Sequence, residues 1–534
     1  METVKKTNWG LAGTQIDDNF TANKALIDQV QTDLDTAEAA IVVNEADIVA
    51  MQGQIGIYGA AYDTVGKTWT RLGRLNGISA EYSNKPFSNV PDSLLPIQRN
   101  MKRCVLNDDL SVNYYLNGTD SYNKAGVEPF IFGTDGAGTA NKVSEVGLFA
   151  LAEAQYVGKY IHNTTDDSYA MITAKDSDNV LTIDADIMAS GDTFEICTAV
   201  LNGDDGQVMV EIPEHWWKYE LVGDVQYWWL SPTMQSVGDG WTKFKKSYIG
   251  AYEAQMYDLS ADSIVGGQGG ADVANDKLCS VNGIEAHTDE TRAEYRALAA
   301  NRGTGWHQQD NRVYAAVVRL YLVEYANYNS QAKISDGLTN ASGTDWNDYN
   351  GYCPLVNSGL TNSLGNATGE VAVAIPNFVG GTTDLNTQVM SYRGIENWYG
   401  HIWKWMDGVN IFHDGTGAGE SMIYLCEEIA NYADDVVTNY ELAGYLPKTS
   451  GYYGYPLAIA SGFFPDSSET GSSSVGLADY YYSGYDAEAA TWRVAALGGY
   501  AYHGVKAGAF CVGSKHSSTD DYSNIGGRLC AAGV

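Results

Sequence analysis

Residues 392–408 read YRGIENWYGHIWKWMDG, and this aromatic stretch decides how the C-terminal half of the chain is interpreted. Each tryptophan ring stabilises a fold by roughly a few kcal/mol when it is buried in a short strand. We therefore expect these rings to form core rather than a ligand platform. The tryptophans concerned are Trp398, Trp403, Trp405 and, further along the chain, Trp492.

The charged residues of this stretch lie among small and aromatic neighbours. Arg393 and Glu396, together with Arg528, are therefore expected to form internal ion pairs or hydrogen bonds to loop backbone. The glycine pairs at 498–499 and 526–527 are expected to allow close backbone approach or a positive φ. They do not predict a phosphate loop, because no Gly-rich strand-to-helix turn with a following Lys is present.

The pattern RGIEN-x-x-G-x-I-W-x-W-x-DG in this stretch resembles a segment of phage proteins that have a C-type-lectin fold. That branch is related to the formylglycine-generating enzymes and to the variable proteins of diversity-generating retroelements. The motifs ALGG at 496–499 and GGRL at 526–529 are similar to the terminal region of the same group. The resemblance covers 203–534, with lead-in strands around 97–116, and implies a phage tail fibre or receptor-binding protein with a C-type-lectin-like head.

The resemblance also places an exposed binding face between Gly499 and Gly526. Tyr offers a large amphipathic contact area at low entropy cost, and Ser and Asn add adaptable hydrogen bonds. A polar surface loop would have much the same composition, and that interpretation stays open. The candidate ligand contacts are Tyr500, Tyr502, His503, Lys506, Ser514, His516 and Tyr522, with Tyr481 and Tyr482 from a neighbouring loop.

Enzyme chemistry is not predicted. The formylglycine-generating relatives use a close cysteine pair near the C-terminal motif, whereas Cys511 and Cys530 stand well apart in sequence. No HExxH or GxSxG motif occurs, and the seven cysteines include no CxxC pair. We therefore expect no metal, no cofactor and buried free thiols, with a metal oxidase or hydrolase as a remaining class.

A heptad pattern occupies the N-terminal part of the chain. Apolar residues recur at alternating spacings of four and three from Ile16 to Ile55, interrupted by Asn23 and Asn44. Such a pattern predicts a coiled coil whose asparagine layers fix the register. An amphipathic helix folded back on its own chain is the alternative. Resemblance to phage fibres favours a homotrimer.

Beyond the heptads, Gly, Tyr and short apolar alternations predict a globular head. Short β-rich runs, such as 180–183 and 193–196, indicate a small β insertion, and helical periodicity is found at 291–302, 313–325 and 422–432. The predicted class is α+β, with an N-terminal coiled-coil stalk and a C-type-lectin-like head with a small β-rich insertion. The expected domains are a stalk at 1–57, a neck with lead-in strands at 58–117, the insertion at 118–202 and a ligand-binding domain at 203–534.

Composition excludes several classes of partner. Asp and Glu number 66 against 32 Lys and Arg among 534 residues, which gives a formal net charge of −34. This balance argues against sequence-independent nucleic-acid binding and against docking on an anionic membrane. No apolar run is long enough to predict membrane insertion. The first residues lack the apolar core of a secretory signal, so synthesis in the host bacterial cytoplasm is expected.

These expectations combine into one predicted function. The chain is expected to be a virion fibre or spike that binds a bacterial surface glycan or protein through its head and other virion proteins through its stalk. The alternative is a structural head or collar fibre whose lectin-like domain contacts only other virion proteins. Neither alternative involves catalysis.

Overall fold

The computed structural model describes residues 24, 56–80, 85, 88–340, 354–375, 385–415, 419–486 and 489–533. Strands make up 37% of the structure and helices 11%. The α-helices of the described chain are α1 (Arg292–Ala300), α2 (Asn311–Tyr325) and α3 (Ser330–Lys333). The α+β prediction is therefore wrong, because the chain is mostly β and is divided among several sheets.

The predicted stalk-and-lectin-head architecture is not supported either. No long coiled coil is evident in the described part of the chain. The predicted heptads at 16–55 lie outside the described residues, apart from Lys24.

A five-stranded antiparallel sheet packs against α2. Its strands are β1 (Tyr58–Asp63), β2 (Thr68–Gly73), β12 (His215–Val222), β13 (Val225–Ser231) and β14 (Thr242–Phe244). Their order in the sheet is β14-β12-β13-β1-β2. Strands close to the N-terminal end thus pair with strands far along the chain, as in the Tyr58 to Leu230 register.

A six-stranded sheet is formed entirely by strands between residues 131 and 196. These are β5 (Ile131–Thr134), β6 (Lys142–Ser144), β7 (Tyr160–Asn163), β8 (Ser168–Ser177), β9 (Val180–Ile183) and β10 (Thr193–Ile196). Their order is β5-β10-β7-β8-β9-β6. The apolar side chains of this sheet, among them Ile172, form a separate buried cluster together with loop residues such as Phe149.

A second six-stranded sheet joins distant segments. Its strands are β3 (Lys102–Leu106), β4 (Val112–Tyr115), β11 (Gln207–Ile212), β15 (Ser247–Gly250), β21 (Trp306–Gln308) and β32 (Leu529–Ala532), in the order β21-β32-β15-β11-β3-β4. The last strand of the described chain, β32, therefore lies between β21 and β15 in a sheet whose first strand along the chain begins at residue 102.

The remaining sheets include the one that carries the candidate site. A nine-stranded sheet contains β18 (Gly267–Gln268), β20 (His287–Thr288), β25 (Trp403–His413), β26 (Ser421–Leu425), β27 (Glu441–Tyr445), β28 (Tyr481–Ser483), β29 (Thr491–Leu497), β30 (Val512–His516) and β31 (Ile525–Gly526). Two three-stranded sheets consist of β16 (Gln255–Asp258), β17 (Ser263–Val265) and β19 (Lys277–Cys279), and of β22 (Gly369–Ile375), β23 (Leu385–Tyr392) and β24 (Ile395–Glu396).

Helix α2 lies at the centre of the main core. The Asp310 carboxylate accepts a hydrogen bond from the Val313 N–H at 2.8 Å and caps the first turn. The helix ends at Ala326, whose φ of 47° is left-handed. Every residue of α2 except Arg312 is buried, because the helix packs against β1 and β13 on one side and β25 on another.

Two of the predicted helices are found and the third is wrong. Helix α1 falls within 291–302, and α2 includes 313–325. The segment 422–432 instead contains β26 and a 3₁₀ turn at Ile429–Asn431. The edge of β25 offers a complete antiparallel register to Ser421–Leu425, so pairing between distant segments overrides the local helical period.

The core roles expected for the aromatic stretch are largely confirmed. Trp398, Trp403 and Trp405 are buried, whereas Trp492 is partly exposed and packs on Phe412. An Arg393 nitrogen lies 2.5 Å from a carboxylate oxygen of Glu324. The side chains of Glu396 and Arg528 bond to loop backbone, with Glu396 accepting the N–H of Gly359 and of Thr361, and Arg528 donating to the carbonyl of Gly250.

The cysteines in the described part of the chain are buried free thiols, as expected: Cys104, Cys197, Cys279, Cys426, Cys511 and Cys530. Among the described helices, none combines the length and the apolar character that a membrane crossing demands.

Candidate functional site

The loop between β29 and β30 is shaped by its two glycines. Gly498 and Gly499 have φ values of +87° and +72°, which L-residues rarely adopt. A Cβ atom on Gly499 would lie 2.8 Å from the Cβ of Ala507, so a side chain does not fit there. The loop is closed by a hydrogen bond from the Gly498 N–H to the Cys511 carbonyl at 3.0 Å. The predicted roles of this glycine pair in positive φ and close approach are confirmed.

Strand β28 brings a second set of tyrosines beside this loop. It pairs in parallel with β30, with Tyr481 opposite Val512 and Ser483 opposite Ser514. Side chains alternate between the two faces of a strand, so Tyr481 and Tyr482 point in opposite directions. Tyr481 is 2% exposed and its hydroxyl lies 2.6 Å from that of Ser514, whereas Tyr482 faces the loop.

Six aromatic side chains from these segments form a continuous group, which we call the tyrosine surface. Its members are Tyr452, Tyr480, Tyr482, Tyr500, Tyr502 and His503. The rings of Tyr482 and His503 stack with centroids 4.7 Å apart, and Tyr500 meets His503 edge-on at 4.2 Å. Tyr480 joins the group through Tyr482 at 4.7 Å and Tyr452 through Tyr480 at 5.1 Å, while Tyr502 lies 6.4 Å from Tyr500.

Two lysines flank the tyrosine surface. The Nζ of Lys506 lies 4.7 Å from the ring centre of Tyr480, and the Nζ of Lys515 lies 5.7 Å from that of Tyr482. Both lysines are exposed, and so is Tyr502, at 47% of its surface. Within a strongly acidic chain, this surface therefore presents stacked rings with local positive charge.

His503 is held neutral at the centre of this surface. Burial lowers its pKa to about 3, and the nearby charges of Lys515 and Lys506 act in the same direction. Its Nδ1 has no hydrogen-bond partner within the described chain. Neutral His503 therefore contributes to this surface as a ring that stacks on Tyr482.

Trp403 supports the surface from below. Its ring is 2% exposed and meets Tyr482 and His503 edge-on, at 5.8 and 5.1 Å. The next residue, Lys404, is buried beside Glu253, with Nζ 2.7 Å from Oε1 of that carboxylate. His401 donates from Nδ1 to the other oxygen of Glu253, because its Nε2 accepts the Leu355 N–H at 2.9 Å. We call Glu253, His401 and Lys404 the buried charge cluster.

The structure brings together five of the nine predicted contacts. Tyr482, Tyr500, Tyr502, His503 and Lys506 belong to one surface or flank it. Tyr481 and Ser514 are buried beneath it and offer almost no area to a ligand. Neither residue therefore belongs to the proposed contact surface.

The other two predicted contacts lie in a separate group. His516 is 7% exposed, and its ring meets those of Trp405 and Tyr522, each with centroids 5.4 Å apart. Burial lowers the pKa of His516 to about 4, with Lys515 acting in the same direction. Tyr522 is 44% exposed. These two residues share an aromatic contact with each other.

Three residues at the tyrosine surface were not among the predicted ligand contacts, namely Tyr452, Tyr480 and Lys515. The signal for Tyr480 was its spacing of two from Tyr482, which places both rings on one face of an extended segment. No such local signal marks Tyr452, because it reaches the group through folding of a distant loop.

The chain matches no protein-family model and no curated protein. The function proposed below is therefore inferred from the residues of this chain. Among the described residues, no group of three or more His, Cys, Asp or Glu side chains is placed to hold a metal ion.

Proposed function

We propose that this chain is a binding protein, a fibre or spike of a bacterial virus, that attaches to a bacterial surface glycan or protein through the tyrosine surface. One observation carries the proposal: stacked rings from three separate segments converge on a partly exposed patch with two lysines at its edge. Aromatic faces of this kind suit the apolar face of a sugar ring or an aliphatic or aromatic side chain.

The energetics favour contact at short range. With a formal charge of −34 and a Debye length of about 8 Å in physiological salt, the chain as a whole does not attract an anionic cell envelope. Stacking and hydrogen bonding must supply the affinity instead. A well-packed aromatic anchor at the centre of an interface contributes roughly 2 kcal/mol or more, and Tyr is enriched among such anchors.

The proposal includes a homotrimer carried on the virion. Several copies of a weak site on one particle raise the overall affinity without any new contact, provided that they can engage together. A moderate affinity for each tyrosine surface would then suffice for firm attachment.

The test is adsorption of the labelled protein to a panel of bacterial strains and to their purified surface polysaccharides. We expect the double variant Tyr482→Ala/Tyr502→Ala to lose adsorption. Tyr445→Ala serves as the matched control, because Tyr445 is 48% exposed and lies on β27, outside the tyrosine surface.

Lys506→Glu is a second variant that changes the edge of the surface without removing a ring. Unchanged melting temperatures across the set would separate a binding defect from a folding defect. If the double variant adsorbs as well as the parent, the tyrosine surface is not the attachment site. If the parent binds no strain and no polysaccharide, a structural fibre that contacts only virion proteins is the better account.

A further inference from the structure

A cavity of about 520 Å³ lies beside helix α2, outside the tyrosine surface. It is enclosed by α2, by β12 and β14 of the five-stranded sheet, and by the loops at 427–430 and 460–461. Arg312, Ala315 and Arg319 line it from α2, at positions that share one helix face. Two arginines of the same helix thus line one cavity.

Arg319 is the central residue of this cavity. It is 3% exposed, and its guanidinium lies 4.1 Å from the ring centre of Trp217. Nη1 donates to the Ala460 carbonyl at 3.2 Å, but Nε has no hydrogen-bond partner. No carboxylate of the described chain forms an ion pair with Arg319 within 4.0 Å. A buried charge without a close counter-ion is costly. Burial lowers the pKa of Arg319 to about 9, and the charge of Glu427 opposes this shift only in part.

Arg312 adds a second incompletely paired guanidinium at the same cavity. Its Nη2 lies 3.7 Å from Oδ2 of Asp310, too far for a hydrogen bond, and neither Nε nor Nη2 has a hydrogen-bond partner. The Asp310 carboxylate already accepts the Val313 N–H and the Tyr432 hydroxyl. Arg312 therefore keeps unused hydrogen-bonding capacity beside the cavity that it lines.

Most of the charged side chains that line the cavity are cationic, although Lys243 and Arg312 each lie beside a carboxylate outside the lining. Lys243 and Lys245 also line it, and Lys243 is paired with Glu214 at 2.8 Å. Glu427 and Glu428 contribute two carboxylates, so the lining holds four cationic and two anionic side chains. Burial raises the pKa of Glu427, with Asp310 acting in the same direction, whereas the charges of Arg319 and Arg312 lower it.

We propose that this cavity binds an oxyanion, the carboxylate or phosphate group of a small ligand, between the guanidinium groups of Arg312 and Arg319. Guanidinium donors form charge-assisted, often bidentate hydrogen bonds to both kinds of group. The ligand adds a negative charge beside Arg319, for which the lining otherwise offers the more distant carboxylate of Glu427. This site is independent of the tyrosine surface and of the attachment function proposed for it.

The test is calorimetric titration of the full chain with sodium phosphate and with sodium glucuronate at constant ionic strength. Sodium chloride and neutral glucose are the matched controls. We expect saturable binding of at least one oxyanion and no saturable binding of either control. Tighter binding of phosphate identifies a phosphate-bearing ligand, and tighter binding of glucuronate identifies a carboxylate-bearing one.

Four variants test the charge and the geometry of the cavity. Arg312→Gln should weaken the binding at least tenfold, and Glu427→Gln should strengthen it severalfold, because the two substitutions change the cavity charge in opposite senses. Arg99→Gln, which removes an exposed charge elsewhere, should leave the affinity unchanged. Arg319→Lys keeps the charge but removes the planar fork and should also weaken binding. Absence of saturable binding by the parent, or equal affinities for Arg312→Gln and Arg99→Gln, would overturn the proposal.

Discussion

Replacing Glu253 with Gln tests the buried charge cluster that underlies the tyrosine surface. Glu253 is 4% exposed and has both Lys404 and His401 as partners. Gln has nearly the same shape but no charge, so the substitution leaves the Lys404 ammonium buried without a counter-ion. We expect a large loss of stability together with a disturbed tyrosine surface.

The magnitude follows from the pKa of Glu253. Burial alone would raise this pKa, but the charge of Lys404 and the ring of His401 outweigh that effect and lower it from 4.5 to about 2. At 1.36 kcal/mol per pKa unit, ionised Glu253 contributes about 3 kcal/mol at pH 7. Breaking a buried ion pair by removing one partner typically costs about 3–5 kcal/mol, which agrees with this value.

The sign of the pH dependence is fixed by the same shift. A carboxyl group whose pKa is lower in the folded state stabilises the fold fully above its unfolded pKa of 4.5. This contribution is lost as the pH falls towards 2. The difference in free energy of unfolding between the parent and Glu253→Gln should therefore be constant near neutrality and shrink by about two fifths near pH 3.5.

The assay is urea unfolding followed by tryptophan fluorescence, at pH 7 and at acid pH. Glu441→Gln is the control, because Glu441 is exposed on β27 and should change stability by less than about 0.5 kcal/mol. Adding Lys404→Met to Glu253→Gln removes the orphaned ammonium and should restore part of the loss. A loss below about 1 kcal/mol for Glu253→Gln, or no recovery in the double variant, would refute the reasoning.

Three further predictions concern backbone strain, acid stability and assembly. Gly499→Ala should lower the free energy of unfolding by about 1–3 kcal/mol and weaken adsorption, because φ is +72° and the new Cβ meets Ala507. Gly77 has a φ of +84° but lies in open space, so Gly77→Ala should lower stability less in the same thermal unfolding assay. Burial lowers the pKa of His215 from 6.5 to about 3, so the folded state loses stability as the pH falls below 6.5. Calorimetry should show that this residue causes a loss of about 2 kcal/mol between pH 7 and pH 5, and that the loss is absent in His215→Asn. Light scattering should give the mass of three chains, and a particle of 57.8 kDa would contradict the homotrimer.

Local sequence patterns predicted several strands well. The runs at Val180–Ile183 and Thr193–Ile196 were placed with their observed bounds, because β-branched residues are bounded there by turn-forming Asp, Asn and Gly. The segment 422–432 failed because its apolar spacing fits a helix locally, while the edge of β25 decides its structure. Such pairings join residues that are distant in sequence, and no local pattern contains them.

The candidate site shows the same limit at the level of single side chains. Tyr481 and Tyr482 are adjacent and chemically identical, so sequence alone assigns them equal roles. Pairing of β28 with β30 buries the first against Ser514 and turns the second towards His503. The direction of a strand face depends on its partners, and a shift of one residue would exchange the two tyrosines.

The buried charge cluster explains why the tyrosine surface has one defined geometry. Apolar residues of similar volume often stabilise a core as well as a buried ion pair does, so stability alone does not account for the cluster. Its hydrogen bonds instead fix the backbone: Lys404 Nζ donates to the Gly400 carbonyl at 2.7 Å, and the His401 carbonyl accepts the Ala501 N–H at 3.0 Å. The first bond holds the segment that carries Trp403, and the second ties that segment to the loop that carries Tyr500 and His503. We infer that Glu253 holds the two halves of the binding surface in register, so its loss should weaken adsorption even under conditions where the chain stays folded.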